Sequence, residues 1–74
     1  MMTSSENIGQ LVRARRKFLQ LRQRDLAELA GVTLRGLTAI ESGRGNPTLN
    51  QLSKIAGVLG LEVTLIQRRP DAAS

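Results

Sequence analysis

The segment QRDLAELAGVTLRGLTAIESG, residues 23–43, contains two short helical patterns separated by a glycine. In residues 23–30, apolar side chains recur three and four positions apart, which predicts a helix with one buried stripe. Gly31 suits the left-handed conformation that ends many helices, and Thr33 is a good N-cap for a second helix over residues 34–42. The side chains that we expect to face inward are Leu26, Leu29, Ala30, Leu37 and Ile40.

Two helices joined by so tight a turn form a helix-turn-helix. Ala27 is small enough for the second helix to cross the first at close range, and Gly31 fits the turn itself. In this unit the second helix lies in the major groove of DNA, with its N-terminal residues against the base edges. The segment therefore predicts a DNA-binding protein whose recognition helix begins directly after Thr33.

Helical patterns continue on both sides of this segment. Ser5 can cap a first helix that runs to about Gln20, and Thr48 can cap a fourth helix over residues 49–59, which Gly60 ends. The inward-facing side chains expected in these two helices are Ile8, Leu11, Val12, Leu19, Leu52, Ile55, Ala56 and Leu59. The chain thus reads as four helices up to residue 60.

The sequence period changes from helical to two after Gly60, and residues 62–67 read as a strand. The chain offers this strand no partner, and an unpaired strand exposes a row of backbone N–H and C=O groups. Pairing with the same strand of a second copy is the simplest solution, although the segment could instead pack on its own domain as a fifth helix or an irregular segment. The residues expected to form the dimer contact are Leu61, Val63, Thr64, Leu65 and Ile66.

The chain divides into four parts on this basis. We expect a flexible N-terminal arm at residues 1–4, a DNA-binding domain at 5–60, a dimerisation strand at 61–67 and a flexible tail at 68–74. The expected fold class is all-α, a bundle of four to five helices with one C-terminal β-strand that pairs across a dimer. A chain of 74 residues buries only roughly 60% of its unfolded surface, so a second copy would add useful buried area.

Charge and composition favour a polyanionic partner. The chain carries 11 basic and 6 acidic residues for a net charge of +5, and nine of the basic residues are arginines. The planar guanidinium group suits phosphate and guanine edges better than an ammonium group does. The balance therefore indicates nucleic acid, the alternative being that the charge only maintains solubility.

Several functional classes are excluded or disfavoured by the same composition. The sequence has no Cys and no His, which excludes zinc sites built on those ligands, thiol chemistry and histidine acid-base catalysis. The carboxylates are scattered without a nucleophile and base together, so we expect no enzyme, no metal and no cofactor. No apolar run is long enough to span a membrane, and residues 1–7 do not resemble a signal peptide. We therefore expect no membrane association and a cytoplasmic, nucleoid-associated location.

The run LRQRDLAELAGVTLRGLTAIESGRGNPTLNQLSKIAGVLGLEV, residues 21–63, resembles the Cro and lambda-repressor-like helix-turn-helix family, often called the XRE family. The residues that match together are Gln23, Leu26, Ala27, Gly31, Val32, Leu37, Ile40, Glu41, Gly43, Pro47 and Leu52. The single strand after the fourth helix looks most like the HipB-like antitoxins, including the Y4mF-like regulators. The resemblance implies a lambda-repressor-like bundle that binds double-stranded DNA.

The resemblance also implies a set of DNA contacts. Gln23 looks like the family's phosphate-contacting glutamine, the alternative being an ordinary first-turn residue. Arg35 could bind guanine O6 and N7 as a bidentate pair, the alternative being a solvated charge. Leu34 and Ala39 could offer only apolar contact, for example to a thymine methyl, or are tolerated surface residues. The expected base-contacting set is Thr33, Leu34, Arg35, Thr38 and Ala39, and the expected phosphate-contacting set is Arg22, Gln23, Arg24, Ser42 and Arg44.

Other positions read as structural. Arg16 and Glu41 match a pair that forms an internal salt bridge in the resembled family, and we prefer this interpretation to direct DNA contact. Two residues depart from the family pattern: Gln20 stands where a glycine often follows the first helix, and Arg22 stands where a serine or threonine N-cap is usual, which predicts a less well capped helix. The basic side chains expected to form a solvated face that adds to the attractive field are Arg13, Arg15 and Lys17.

The function expected from the sequence is transcriptional repression. The resemblance implies the antitoxin and autorepressor of a type II toxin-antitoxin pair, a homodimer on a palindromic operator, with a HipA-like kinase toxin as a partner. A two-fold dimer would place its recognition helices about 34–36 Å apart on successive major-groove faces. The alternatives are a stand-alone phage-type or metabolic regulator, and a protein–protein interaction module that retains the fold without the operator.

Overall fold

The computed structural model describes residues 4–65 and 67, with the side chains described from residue 7 onward. This part of the chain folds into four helices: α1 (Ser4–Phe18), α2 (Gln23–Ala30), α3 (Leu34–Glu41) and α4 (Leu49–Leu59). The predicted all-α helix-turn-helix bundle is confirmed. Residues 61–65 and 67 form no helix and no strand within the single chain, and Ile66 lies outside the described residues, so strand pairing with a second copy stays a prediction.

The core draws on all four helices. Its fully buried large side chains are Leu26, Leu37, Ile55 and Leu59, and Val12 of α1 is 6% exposed. Burying each such side chain contributes about 1.5–3 kcal/mol. Of the inward-facing predictions, those at Ala30, Ile40 and Ala56 are also confirmed.

One inward-facing prediction in the helix-turn-helix is wrong, because Leu29 is 64% exposed. The buried stripe of α2 consists of Leu26, Ala27 and Ala30. At about 100° per residue this stripe centres near Ala30, and Leu29 lies roughly 100° away from the centre. Spacings of three and four therefore identified the helix correctly, but they placed Leu29 in the buried stripe, which contains Ala27 instead. Leu11, at 56%, and Leu19, at 38%, are also more exposed than predicted.

The turn between α2 and α3 forms as its local sequence predicts. Gly31 has φ 70° and its backbone N–H donates to the Glu28 carbonyl, while the Val32 N–H donates to the Ala27 carbonyl at 3.0 Å. At the start of α3, the Thr33 hydroxyl oxygen accepts a hydrogen bond from the Gly36 N–H at 3.0 Å. These contacts satisfy backbone groups that a helix end would otherwise leave unpaired.

The connection between α1 and α2 differs in two respects from expectation. The first helix ends at Phe18 rather than near Gln20, because Gln20 adopts a left-handed φ of 59°, the conformation that favours the glycine usual at this position. The poor cap expected at Arg22 is offset, because the Asp25 carboxylate accepts from the Arg22 backbone N–H at 2.9 Å. A hydrogen bond from the Arg22 guanidinium to the same carboxylate lowers the pKa of Asp25.

Two helices approach each other closely at Gly9, where α1 crosses the end of α3. A Cβ at this position would collide with the Ile40 carbonyl oxygen and lie 2.9 Å from that of Glu41. Both obstacles are backbone atoms, which cannot rotate away as a side chain can. Only glycine therefore allows this packing of α1 on α3.

We predict that Gly9→Ala lowers the free energy of unfolding by about 1–3 kcal/mol, because an overpacked contact must push the helices apart. This sign is opposite to the gain of about 1 kcal/mol that alanine brings to an open helical site. Gly57→Ala in α4 is the matched control, because nothing lies within 4 Å of its added Cβ. Urea denaturation of both variants measures the difference, and a stabilised Gly9→Ala protein would contradict the close approach.

Candidate nucleic-acid interface

One open concavity covers the outward side of α3 and has a volume of about 690 Å³. We call it the α3 surface, and its lining residues are Leu34, Arg35, Thr38, Ala39 and Arg44. Four of these are side chains that the sequence assigns to base contact. The fifth member of that set, Thr33, is exposed at the N-cap of α3, where its hydroxyl oxygen accepts from Gly36.

The α3 surface combines one long cation with short and apolar side chains. Arg35 is exposed in the first turn of α3, and it takes part in neither of the two ion pairs within the part of the chain that the structure describes. Leu34 is 45% exposed beside it. The Thr38 hydroxyl donates to the Leu34 carbonyl at 2.9 Å. A free guanidinium group next to apolar atoms can bind guanine while its neighbours contact thymine methyls.

The residues expected to contact phosphate lie at two places. At the end of α3, the Arg44 Nε donates to the Ser42 hydroxyl at 3.1 Å, which holds the Arg44 side chain beside the α3 surface. At the start of α2, Arg24 is exposed, whereas the Arg22 guanidinium is paired with Asp25 at 3.0 Å. The paired carboxylate partly cancels the attraction of Arg22 for a phosphate.

A buried ion pair lies directly behind this surface. The Arg16 Nε and Nη2 atoms donate to the two carboxylate oxygens of Glu41 at 2.7 and 2.9 Å. The two side chains are 10% and 3% exposed, and the Arg16 Nη1 also donates to the Leu21 carbonyl at 2.9 Å. The hydrogen bond to Glu41 raises the pKa of Arg16 above its ordinary value. The pair therefore joins α1 to the C-terminal end of α3.

Gln23 extends the ion pair into a network that reaches the α3 surface. Its amide nitrogen donates to Glu41 at 3.1 Å, and its amide oxygen lies 3.4 Å from the Thr38 hydroxyl oxygen, whose proton is donated to the Leu34 carbonyl. For Gln23 the sequence predicts only a phosphate contact or an ordinary first-turn residue. In the structure its side chain links the start of α2 to the end of α3.

A second, smaller hollow lies next to this network, between α1, α2 and α3. Its volume is about 180 Å³, and its lining residues are Arg13, Arg16, Gln23, Thr38, Glu41 and Ser42. Arg13, for which the sequence predicts a general solvated face, lines this hollow. Its position three residues before Arg16 on α1 is the signal that could have placed it beside the buried pair.

The profile of the helix-turn-helix family matches residues 12–66 of this chain. The chain belongs to the helix-turn-helix family. The predicted relationship to XRE-type regulators is thereby confirmed, and the match includes the whole of α2, the turn and α3. No helix within the described residues is long and apolar enough to cross a membrane.

Relatives of this helix-turn-helix chain are regulators from phage, archaea and bacteria. It is 42% identical over 59 residues to the immunity repressor protein of Bacillus phage phi105, covering 80% of this chain and 41% of that protein. It is 46% identical over 52 residues to an HTH-type transcriptional regulator of Methanothermobacter thermautotrophicus, covering 70% of this chain and 75% of that protein. It is 35% identical over 60 residues to the HTH-type regulator y4mF of Sinorhizobium fredii, covering 81% and 79%.

Solved structures share the fold. The clp gene regulator ClgR from Corynebacterium glutamicum gives a TM-score of 0.77 at 26% identity, covering 82% of this chain and 65% of that chain. A chain of the HipA-HipB-O2-O3 complex gives a TM-score of 0.75 at 23% identity, covering 93% of this chain and 97% of that chain. Hydroxypropylphosphonic acid epoxidase from S. wedmorenis gives 0.72 at 36% identity, but the likeness covers only 33% of that enzyme.

We predict that Arg16→Met lowers the free energy of unfolding by about 3–5 kcal/mol, because it leaves the Glu41 carboxylate buried without its cation. The double variant Arg16→Met/Glu41→Met removes both charges and should regain most of that loss. Chemical denaturation of the two variants and the parent measures both effects. A double variant no more stable than Arg16→Met would show that side-chain packing, rather than the unpaired charge, causes the loss.

Proposed function

We propose that this protein is a sequence-specific DNA-binding transcriptional repressor. The observation that carries the proposal is the α3 surface, where four side chains suited to base contact lie together with Arg44 on an open face. The net charge of +5 adds a long-range attraction to the duplex. The 42% identity to a phage immunity repressor supports the same function.

On the proposed interface, some side chains would contact bases and others would contact backbone phosphates. Arg35 would donate two hydrogen bonds to the O6 and N7 atoms of a guanine, and Leu34 and Ala39 would contact thymine methyl groups. Arg24 and Arg44 flank the helix and would bind backbone phosphates, which orients the protein without reading sequence. A repressor of this kind acts by occupying the operator, and its working location is the cytoplasmic nucleoid.

We predict that Arg35→Ala weakens binding to the operator by about 1–3 kcal/mol, because the bidentate guanine contact is lost. Binding to a scrambled duplex should change much less, because the lost contact reads a base. Fluorescence anisotropy with the protein's own upstream DNA and a scrambled duplex measures both effects. Lys54→Ala on α4 removes one charge away from the α3 surface and serves as the control.

Equal affinity of the parent protein for upstream and scrambled DNA would contradict the repressor proposal. The protein–protein interaction alternative makes a different prediction for the same variant. Arg35→Ala would then abolish binding to a protein partner while leaving the affinity for DNA unchanged.

The repressor would act as a homodimer on a palindromic operator. An apolar groove of about 280 Å³ lies between α1, α4 and the C-terminal segment, and Leu11 and Val63 line it while being 56% and 41% exposed. Leu65 follows on the same segment and is 97% exposed. A second copy whose residues 61–66 pair with this segment would cover these side chains and supply the missing strand partner.

We predict that Leu65→Asp shifts the protein from dimer to monomer, because a charge must then be buried in the contact. Leu49→Asp is the matched control, since Leu49 is also exposed, at 66%, but lies at the start of α4 rather than in residues 61–66. Sedimentation equilibrium measures the molecular mass of each variant. A Leu65→Asp protein that remains dimeric would exclude this segment as the contact.

The repressor would be the antitoxin of a type II pair, inhibiting a HipA-like kinase toxin and repressing its own promoter. The sequence resemblance to HipB-like antitoxins supports this role, and the match to y4mF covers most of both chains. The stand-alone alternative is supported by the match to the phage immunity repressor. A kinase gene beside this one, whose product co-purifies with the protein, would favour the antitoxin, and its absence would favour the stand-alone regulator.

A further inference from the structure

We propose that the hollow between α1, α2 and α3 binds one phosphate of the DNA backbone, with Arg13 as the residue that supplies the charge. This inference rests on the proposed DNA-binding function and assigns a contact that the sequence did not single out. The hollow of about 180 Å³ is several times the volume share of one water, roughly 30 Å³. It can therefore admit the oxygens of a phosphodiester group.

The charges around the hollow leave one cation available. Arg16 and Glu41 both line it, but they neutralise each other through the bidentate pair at 2.7 and 2.9 Å. Glu41 is the one carboxylate among the lining residues, and its oxygens also accept from Gln23. Arg13 is exposed and belongs to neither ion pair formed within residues 4–65. The described lining thus carries a net charge of +1, located on Arg13.

The position of the hollow suits a phosphate next to the bases being read. Thr38 lines both the hollow and the α3 surface, so the two sites share a wall. A duplex seated on the α3 surface would bring its backbone to the rim of the hollow. The first turn of α2 begins at Gln23 on the same rim, and the N-terminal end of the helix dipole adds positive potential there.

The fixed geometry of the pair explains why Arg13 rather than Arg16 takes this role. All three donor nitrogens of Arg16 have partners, two on Glu41 and one on the Leu21 carbonyl. Moving Arg16 toward a phosphate would leave Glu41 buried and unpaired, at a large cost in stability. Arg13 can turn its guanidinium group toward a phosphate without breaking an ion pair within the described part of the chain.

The test is a salt titration of DNA binding by Arg13→Ala, Arg13→Lys and the charge-matched control Lys54→Ala. Anisotropy is measured with upstream and scrambled duplexes from about 50 to 200 mM salt. We expect Arg13→Ala to weaken both duplexes by the same factor and to reduce the slope of log affinity against log salt by about 0.9. Arg13→Lys should retain the slope, and Lys54→Ala should change it much less.

Four results would overturn the inference. A parent protein that binds neither duplex removes the proposed DNA-binding function together with this site. A parent that binds upstream DNA normally, with an unchanged slope for Arg13→Ala, removes only the phosphate site. If Arg13→Ala weakens binding to upstream DNA alone, Arg13 contacts a base rather than a phosphate. If Lys54→Ala weakens binding as much as Arg13→Ala does, the effect comes from the net charge of the protein and not from a site at Arg13. Circular dichroism melting of each variant establishes that the fold is retained.

Discussion

The buried ion pair between Arg16 and Glu41 constrains the packing of α1 on α3, because neither charge can lose its partner without a large cost in stability. Removing two such charges from water costs several kcal/mol per ion, which only close geometry and further hydrogen bonds can offset. The bidentate contact, with Leu21 and Gln23 as additional partners, meets that requirement. Because Arg16 comes from α1 and Glu41 from the end of α3, the pair links α3 to α1 alongside the apolar core.

The two ion pairs within the described residues also affect which cations remain for DNA. Arg16 is enclosed and Arg22 is engaged with Asp25, so their charges contribute little to a specific contact. Arg35 and Arg44 stand together on the α3 surface, and Arg44 donates to Ser42 at the end of α3. The fold thus separates arginines that hold the structure from arginines that can meet a ligand.

The small size of the chain explains why several apolar side chains remain exposed on its surface. Four fully buried large side chains form the centre of the core, and further apolar side chains remain partly exposed around it. Val12 connects this core to the apolar groove, where Leu11 and Val63 reach solvent. A domain of this size gains proportionally more from association than a larger one, because it buries a smaller share of its own surface.

The sequence by itself determined the four helices and the turn at Gly31, because caps, periods and glycine conformations act between near neighbours in the chain. Only the tertiary structure decided the exposure of Leu29, the close approach at Gly9, the place of Gln23 in the buried network and the presence of Arg13 beside it. Each of these depends on how helices distant in sequence cross, and a local pattern does not specify that crossing.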